Sequence, residues 1–327
     1  MWFKNRTLDK TITFTTATTQ QLDIPRDRWI RSIMLRGKFT HTYGTAIPSV
    51  GAYNFQQLFN KIRVVASGND QLKAVEGYRL WTMNKYLHGT PMYYDLPTAG
   101  DSTTERNVYF MLHFALNPAN PFDYSALLPA HLLSSLDLYI DFGATASYIS
   151  TTGTLTGTVY ATVTEAYIDK GEEISLFGAN KERLFKMYET EQVYAISAAC
   201  SDYSQYIDIP VGSRIKKIGI FTTTSSLYSD AVISKYRFRQ MSPIDMELFH
   251  SAWLESKQED KIYYQLQEGL WTTVVGQDCT NVGFTLYDPE MKGGFLDTRG
   301  MKLGDLKFQM NTTPATGNIY LYMIQFV

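Results

Sequence analysis

The sequence predicts an all-β chain, with a few helices in its loops, built as a tandem duplication. Three observations carry that reading. Aromatic residues make up 14% of the 327 positions, with 23 Tyr and 18 Phe; together with abundant Thr they suit the half-buried pleated surface of a strand. Four short segments recur in the same order in the two halves of the chain. Between the halves lies a charged stretch at 168–192, IDKGEEISLFGANKERLFKMYETEQ. The length is sufficient for two domains.

The first recurrence sets QQLDIPRDRWIRSIML, 20–35, beside SQYIDIPVGSRIKKIGI, 204–220. Leu22-Asp23-Ile24-Pro25 meets Ile207-Asp208-Ile209-Pro210, Ile30-Arg31 meets Ile215-Lys216, Ile33 meets Ile218 and Leu35 meets Ile220. In each copy an apolar residue closes a strand. Proline, with its fixed φ and no N–H to donate, stops the ladder there. Proline also suits the second position of a turn and Gly212 the fourth. A basic, apolar strand follows. Ile30 and Ile33 differ in parity, so that strand either carries a bulge or begins near Ser32.

The second recurrence pairs Asn60-Lys61-Ile62-Arg63-Val64 with Ser234-Lys235-Tyr236-Arg237-Phe238. Each is followed by a polar break and then by helical spacing. A first helix is expected over 71–87, with Leu72, Val75, Arg79, Met83 and Tyr86 on one face. A second is expected over 244–257, with Met246, Phe249, Trp253 and Leu254 as its apolar residues and Asp245 near its N-terminus. The third recurrence pairs Leu136-Asp137-Leu138-Tyr139-Ile140 with Gly304-Asp305-Leu306-Lys307-Phe308. The fourth pairs Gly157-Thr158-Val159-Tyr160 with Gly317-Asn318-Ile319-Tyr320. The separation between partners shrinks along the chain, as expected of the same strands joined by shorter loops in the second half.

Strands are expected at 11–15, 32–41, 61–66, 108–116, 135–142 and 156–166, and at 192–198, 216–222, 234–240, 271–275, 283–287, 305–310 and 318–326. Short strands with long crossover loops suit an eight-stranded jelly roll in each half. The last strand is apolar on both parities, so both of its faces need cover, one from the core and one from the other half or a neighbouring molecule. The expected division is 1–171 as an N-terminal jelly roll and 172–327 as a connector plus a C-terminal jelly roll. Leu176, Phe177, Leu184 and Phe185 make the connector a packed segment rather than a loose linker.

Chemistry is sparse. The net charge of −2 does not advertise nucleic-acid binding. Cys200 and Cys279 read as unpaired thiols of a reducing compartment. No apolar segment follows MWFKNRTLDK as in a signal peptide, and no run reaches the ~18 apolar residues of a membrane span. The sequons Asn5-Arg6-Thr7 and Asn311-Thr312-Thr313 are expected by chance in a Thr-rich chain. His41, His88, His113, His131 and His250 are scattered, with no metal-ligand spacing, and His41 is the nearest to a candidate. No nucleophile elbow or phosphate-binding glycine loop occurs. Glu172-Glu173 and Asp288-Pro289-Glu290 read as surface acids, and Asp101 and Asp123 as loop acids without diagnostic calcium spacing. No catalytic residue, cofactor or metal is expected. The informative loops are aromatic and charge-poor: Tyr93 and Tyr94 beside Pro97, Phe122 and Tyr124 beside Pro121, and Tyr263-Tyr264. Such loops serve large contact surfaces or pack locally.

Two fused jelly rolls with the duplicated Asp23-Ile24-Pro25 and Asp208-Ile209-Pro210 turns, the three later matches and no catalytic motif resemble the double-jelly-roll major capsid proteins of tailless icosahedral viruses of bacteria and archaea, often with an internal membrane. The resemblance covers nearly the whole chain. It implies that each chain supplies two upright lobes, that three chains form a pseudo-hexameric capsomer, and that capsomers tile an icosahedral virion shell assembled in the host cytoplasm. Implied partners are further copies of the chain, neighbouring capsomers, vertex or minor capsid proteins and an internal viral membrane. Shell proteins touching naked genome often carry a basic arm. Met1–Arg6 holds only two basic residues, so direct nucleic-acid contact is not expected. Trp2, Phe3, Lys4 and Arg6 are then placed to touch a membrane surface or brace a neighbouring trimer, and Tyr93, Tyr94, Phe122 and Tyr124 to meet other copies. The alternative is a two-domain jelly-roll carbohydrate-binding or glycan-active protein, and a third reading is a viral spike or fibre domain.

Overall fold

The computed structural model describes residues 1–43, 54–88, 95, 105–118, 120, 122–145, 153–181, 183–196, 198–225, 227–262, 282–289, 294–313 and 316–327. The expectations for Tyr93, Tyr94, Asp101, Tyr263, Tyr264, Cys279, Glu290 and a strand at 271–275 fall outside these residues. By packing, the chain divides into Met1–Met187 and Tyr188–Val327. The segment 172–187, expected at the head of the second half, packs with the first.

The first unit contains β1 (Trp2–Thr7), β2 (Ile12–Thr13), β3 (Thr19–Asp23), β4 (Trp29–Tyr43), β5 (Phe59–Ala66), β6 (Asp70–Val75), α1 (Gly77–His88), β7 (Glu105–His113), β8 (Leu128–Pro129), β9 (Leu136–Phe142), β10 (Gly153–Tyr167) and α2 (Lys170–Phe177). Its strands lie in the orders β1-β10-β4-β7, with β2 beside β10 and β8 beside β4, and β3-β9-β5-β6. The pairings within the unit are antiparallel. Non-consecutive strands lie side by side in both sets, which is jelly-roll topology. Alternation builds the core: Leu136, Leu138, Ile140 and Phe142 of β9 are buried while Asp137, Tyr139 and Asp141 face outward.

The second unit contains β11 (Met187–Ile196), β12 (Cys200–Asp208), β13 (Arg214–Thr224), β14 (Leu227–Tyr228), β15 (Ile233–Gln240), β16 (Met246–Ala252), α3 (Trp253–Ile262), β17 (Phe284–Tyr287), β18 (Leu296–Asp297), β19 (Leu306–Thr312) and β20 (Gly317–Phe326). The order β11-β20-β13-β17 repeats the first sheet of the first unit, and β12-β19-β15-β16 repeats the second.

The repetition extends to individual backbone irregularities. In β4 the pairing steps from Ser32↔Thr164 to Ile30↔Glu165, leaving Arg31 as a bulge. In β13 it steps from Lys217↔Ile324 to Ile215↔Gln325, leaving Lys216, the residue aligned with Arg31. The bulge resolves the parity conflict: Ile30, Ile33, Ile215 and Ile218 are all buried. Asn60 and its counterpart Ser234 are skipped where β5 meets β9 and β15 meets β19. Leu72 and Leu248 are skipped where β6 meets β5 and β16 meets β15. Three bulges at matched positions are far more specific than a shared strand count.

Register also corrects the third recurrence. Val64 faces Leu138 and its counterpart Phe238 faces Phe308. Ile24 N–H donates to Leu136 O at 2.9 Å, and Ile209 N–H to Leu306 O at 2.9 Å. The structural counterpart of Leu138 is therefore Phe308, two residues beyond the sequence pairing with Leu306. An even slip keeps every side chain on its face, so alternation does not reveal it. The fourth recurrence holds in register: Val159 faces Gly37 and Ile319 faces Thr222.

Both predicted helices begin too early, in the same way. Residues 70–75 form β6 before α1 starts at Gly77, and 246–252 form β16 before α3 starts at Trp253. Each unit thus carries a strand–helix pair where spacing suggested one helix. On β20, Ile319, Leu321 and Met323 join the core of the second unit, and Tyr322, Ile324 and Phe326 of the opposite parity are buried as well.

Candidate assembly surfaces

A contact surface needs side chains that are exposed yet held in place. The edge strand β1 supplies one set. Lys4, Asn5, Arg6 and Thr7 are exposed. Trp2 pairs with Tyr167 in the ladder and its ring lies 3.7 Å from that ring at 6°, although Trp2 remains 55% exposed. Arg28 covers the Tyr167 ring, its guanidinium 4.8 Å away. Arg6 Nη1 stands 3.4 Å from Glu165 and 3.5 Å from Asp27. Phe3, on the other face of β1, stacks on Tyr124 at 5.7 Å and borders the buried cluster of Trp29, Leu127, Ala166 and Phe177.

That cluster shows how the connector is anchored. Leu176 and Leu184 pack on it alongside Phe177, and Phe185 N–H donates to Ser125 O at 2.8 Å. α2 opens with a capping box: Asp169 accepts from Glu172 N–H at 2.8 Å, and Glu172 accepts from Asp169 N–H at 3.2 Å. It closes on Gly178 at φ +83°, a conformation suited to glycine.

The loop 117–125 presents Phe122, 74% exposed, from a fastened turn. Asn120 Oδ1 accepts from Phe122 N–H at 3.0 Å, and Asp123 Oδ1 from Ser125 N–H at 3.0 Å. Asp123 Oδ2 accepts from Asn117 N–H. The bulge residue Arg31 donates from Nη2 to Asn120 O at 2.7 Å, with its guanidinium 5.6 Å from the Phe3 ring. Burial holds the Arg31 pKa below its usual value, against the raising effects of Asp123 and Tyr124. Arg31 thus ties the Phe122 loop to the β1 edge. The structure brings together Trp2, Phe3 and Tyr124, leaves Phe122 outward on the adjoining loop, and places Lys4 and Arg6 on the open edge.

Sequence reasoning missed an exposed apolar set on the second unit. Met241, Ile244, Met246, Leu254 and Leu303 are 38%, 69%, 46%, 63% and 77% exposed. The sequence reading places Met246 and Leu254 together on a helix at 244–257. Instead Met246 opens an edge strand, and Leu254 lies on the exposed side of α3. Apolar spacing alone does not separate a core face from an uncovered one.

Among the described residues no three His, Cys, Asp or Glu side chains group as a metal site. His41 is buried on β4, and burial lowers its pKa. An open groove of about 800 Å³ in the first unit is lined by Asp9, Lys10, Asp23, Arg26 and Asp137, a mixture of both charge signs. Among the described residues no helix is long and apolar enough to cross a membrane.

No family model matches the chain, and a comparison with curated proteins finds no match. Solved structures do match. The major capsid protein of Sulfolobus turreted icosahedral virus superposes with a TM-score of 0.79 at 18% identity, over 100% of this chain and 97% of that one. The major capsid protein of bacteriophage PM2 gives 0.59 at 11% identity, over 100% and 98%. The Faustovirus major capsid protein gives 0.58 at 9% identity, over 99% and 89%. With the matched sheet orders and bulges, these comparisons give the chain its fold: it is a double jelly roll of the kind found in viral major capsid proteins.

Proposed function

We propose that this chain is a major capsid protein whose homotrimers form pseudo-hexameric capsomers that tile an icosahedral virion shell. The observation that carries the reading is the end-to-end match, 100% of this chain and 97% of the turreted virus protein at a TM-score of 0.79. A match confined to one jelly roll would fit many functions; two fused jelly rolls matched along their whole length fit few. Three chains with two equivalent lobes each fill a six-fold space, which gives the internal duplication a purpose. The partners follow: other copies, neighbouring capsomers, vertex or minor proteins and an internal membrane, without direct genome contact. The role is structural rather than enzymatic, with assembly in the host cytoplasm. The exposed aromatics Trp2 and Phe122 and the apolar set on the second unit suit burial between copies.

Light scattering on the purified protein tests the reading. The expected mass is about three times 37.3 kDa. A monomer at every concentration examined, with binding on a glycan array, would replace this reading with the carbohydrate one.

A further inference from the structure

The two units match residue by residue, yet they are not covered alike. In the first unit the strand–helix pair β6–α1 is enclosed: Leu72, Lys73, Ala74 and Val75 are buried, and so are the described side chains of α1 from Arg79 to Leu87. The counterparts on β16 and α3 are open. Leu248 and Phe249 are half-buried, His250 is exposed, and Leu254, Glu255 and Gln258 of α3 face solvent. The register fixes the comparison, since Lys73 faces Val64 as Phe249 faces Phe238. The same imbalance recurs, reversed, at the strand flanking the last strand of each unit. β11 beside β20 buries Met187, Glu189 and Ile196, whereas β1 beside β10 buries none of its six residues.

Among the described residues, each chain therefore has one uncovered β1 edge and one uncovered β16–α3 edge. Six equivalent lobes in a ring require equivalent places to be covered alike. We propose that β1 of one chain docks along β16 and α3 of the next, each extending the other's sheet edge. This rests on the trimeric reading above. The occupant is a second copy for two reasons. The chain carries one of each edge, so a head-to-tail contact uses both, and with a third of a turn per copy three chains close into a ring. The charges are also complementary: Lys4 on β1 is exposed, as are Glu255 on α3 and Glu247 on β16, the latter beside Arg237 at 3.4 Å. Exposed Trp2 and Leu254 supply apolar surface on the two sides. Strand addition at an unpaired edge satisfies backbone groups that a free edge leaves to solvent.

The test uses the full chain with Cys200→Ser and Cys279→Ser, carrying Lys4→Cys, Glu247→Cys or both, treated with a short bismaleimide. Light scattering is read first, then a denaturing gel. The expected result is a trimer by scattering in all three, and covalent species up to three chains only in the double variant. A trimer that does not cross-link overturns this contact and leaves the trimer standing. A monomer overturns the trimeric reading, and the contact with it. As a second measure, Lys4→Glu should weaken trimerisation roughly tenfold, and Glu247→Lys in the same chain should restore it. A Lys4→Glu protein that trimerises as before argues against the contact.

Discussion

Replacing Gly157 by alanine probes the packing around Phe39 in the first unit. An alanine Cβ there would lie 2.2 Å from Phe39 Cδ1 and 2.6 Å from its Cε1. Phe39 faces Gly157 directly across the β4–β10 ladder and is fully buried. Its ring has nowhere to retreat: Phe55 stacks at 5.2 Å, Phe14 meets it edge-on at 5.8 Å and Phe59 at 5.9 Å. Gly37, two residues earlier on the same face of β4, closes the remaining side, where a Cβ would come within 2.7 Å of the same ring. A forced methyl in a well-packed core costs about 1–3 kcal/mol, which in a unit of this size lowers Tm by roughly 2–12 °C. Gly300→Ala is the control, since nothing lies within 4 Å of its Cβ; a surface change of this kind stays within about 0.5 kcal/mol. Thermal and urea denaturation followed by fluorescence read the difference. Adding Phe39→Leu to Gly157→Ala should recover part of the loss by making room. If Gly157→Ala melts with the Gly300→Ala protein, the packing argument is wrong.

Other outcomes follow from single contacts. Asp230→Ala removes an acceptor shared by Trp253 Nε1 at 2.9 Å, Lys257 Nζ at 2.7 Å and Gly283 N–H at 2.9 Å; a loss of about 1–3 kcal/mol is expected in urea denaturation. Asp169→Ala abolishes the capping box of α2 and should cost about 1 kcal/mol, with Asp169→Asn retaining most of the stability. Hydrogen bonds from Cys200 and Ser204 lower the Asp202 pKa to about 2. A carboxylate with a depressed folded pKa stabilises fully above its unfolded value and loses that contribution as pH falls through the folded one. The stability gap between the protein and Asp202→Asn should therefore be flat near neutral pH and shrink between about pH 4 and pH 2, measured by urea midpoints across that range.

Much of the architecture was legible because the recurrences carried physics along with similarity. The Ile-Pro turns stop strands in any context, and the parity conflict between Ile30 and Ile33 called for either a bulge or a strand starting near Ser32, of which the structure has the bulge, at Arg31. Leu72 was harder. It bulges out of β6, and with Val75 and Arg79 it mimics helical spacing, so a strand and a helix merged into one expected helix. Leu248 had the same effect in the second unit. The two-residue slip of Leu138 was hidden because faces are conserved under even shifts. At the candidate surfaces, Phe122 could be picked from its Pro-flanked loop. The exposure of Met246 and Leu254 could not, because an apolar residue awaiting a partner has the same pattern as one already in a core. The part played by Arg31, fastening the Phe122 loop to the β1 edge, depends on contacts between residues about 90 apart in sequence, which no local pattern encodes.

The claim that the duplication serves a pseudo-hexameric building block is tested most directly by electron-microscopy class averages of the purified protein viewed down its symmetry axis. Six lobes of two alternating kinds around one centre, from three chains, are expected. Particles with two lobes only, persisting at the highest soluble concentration, would contradict it.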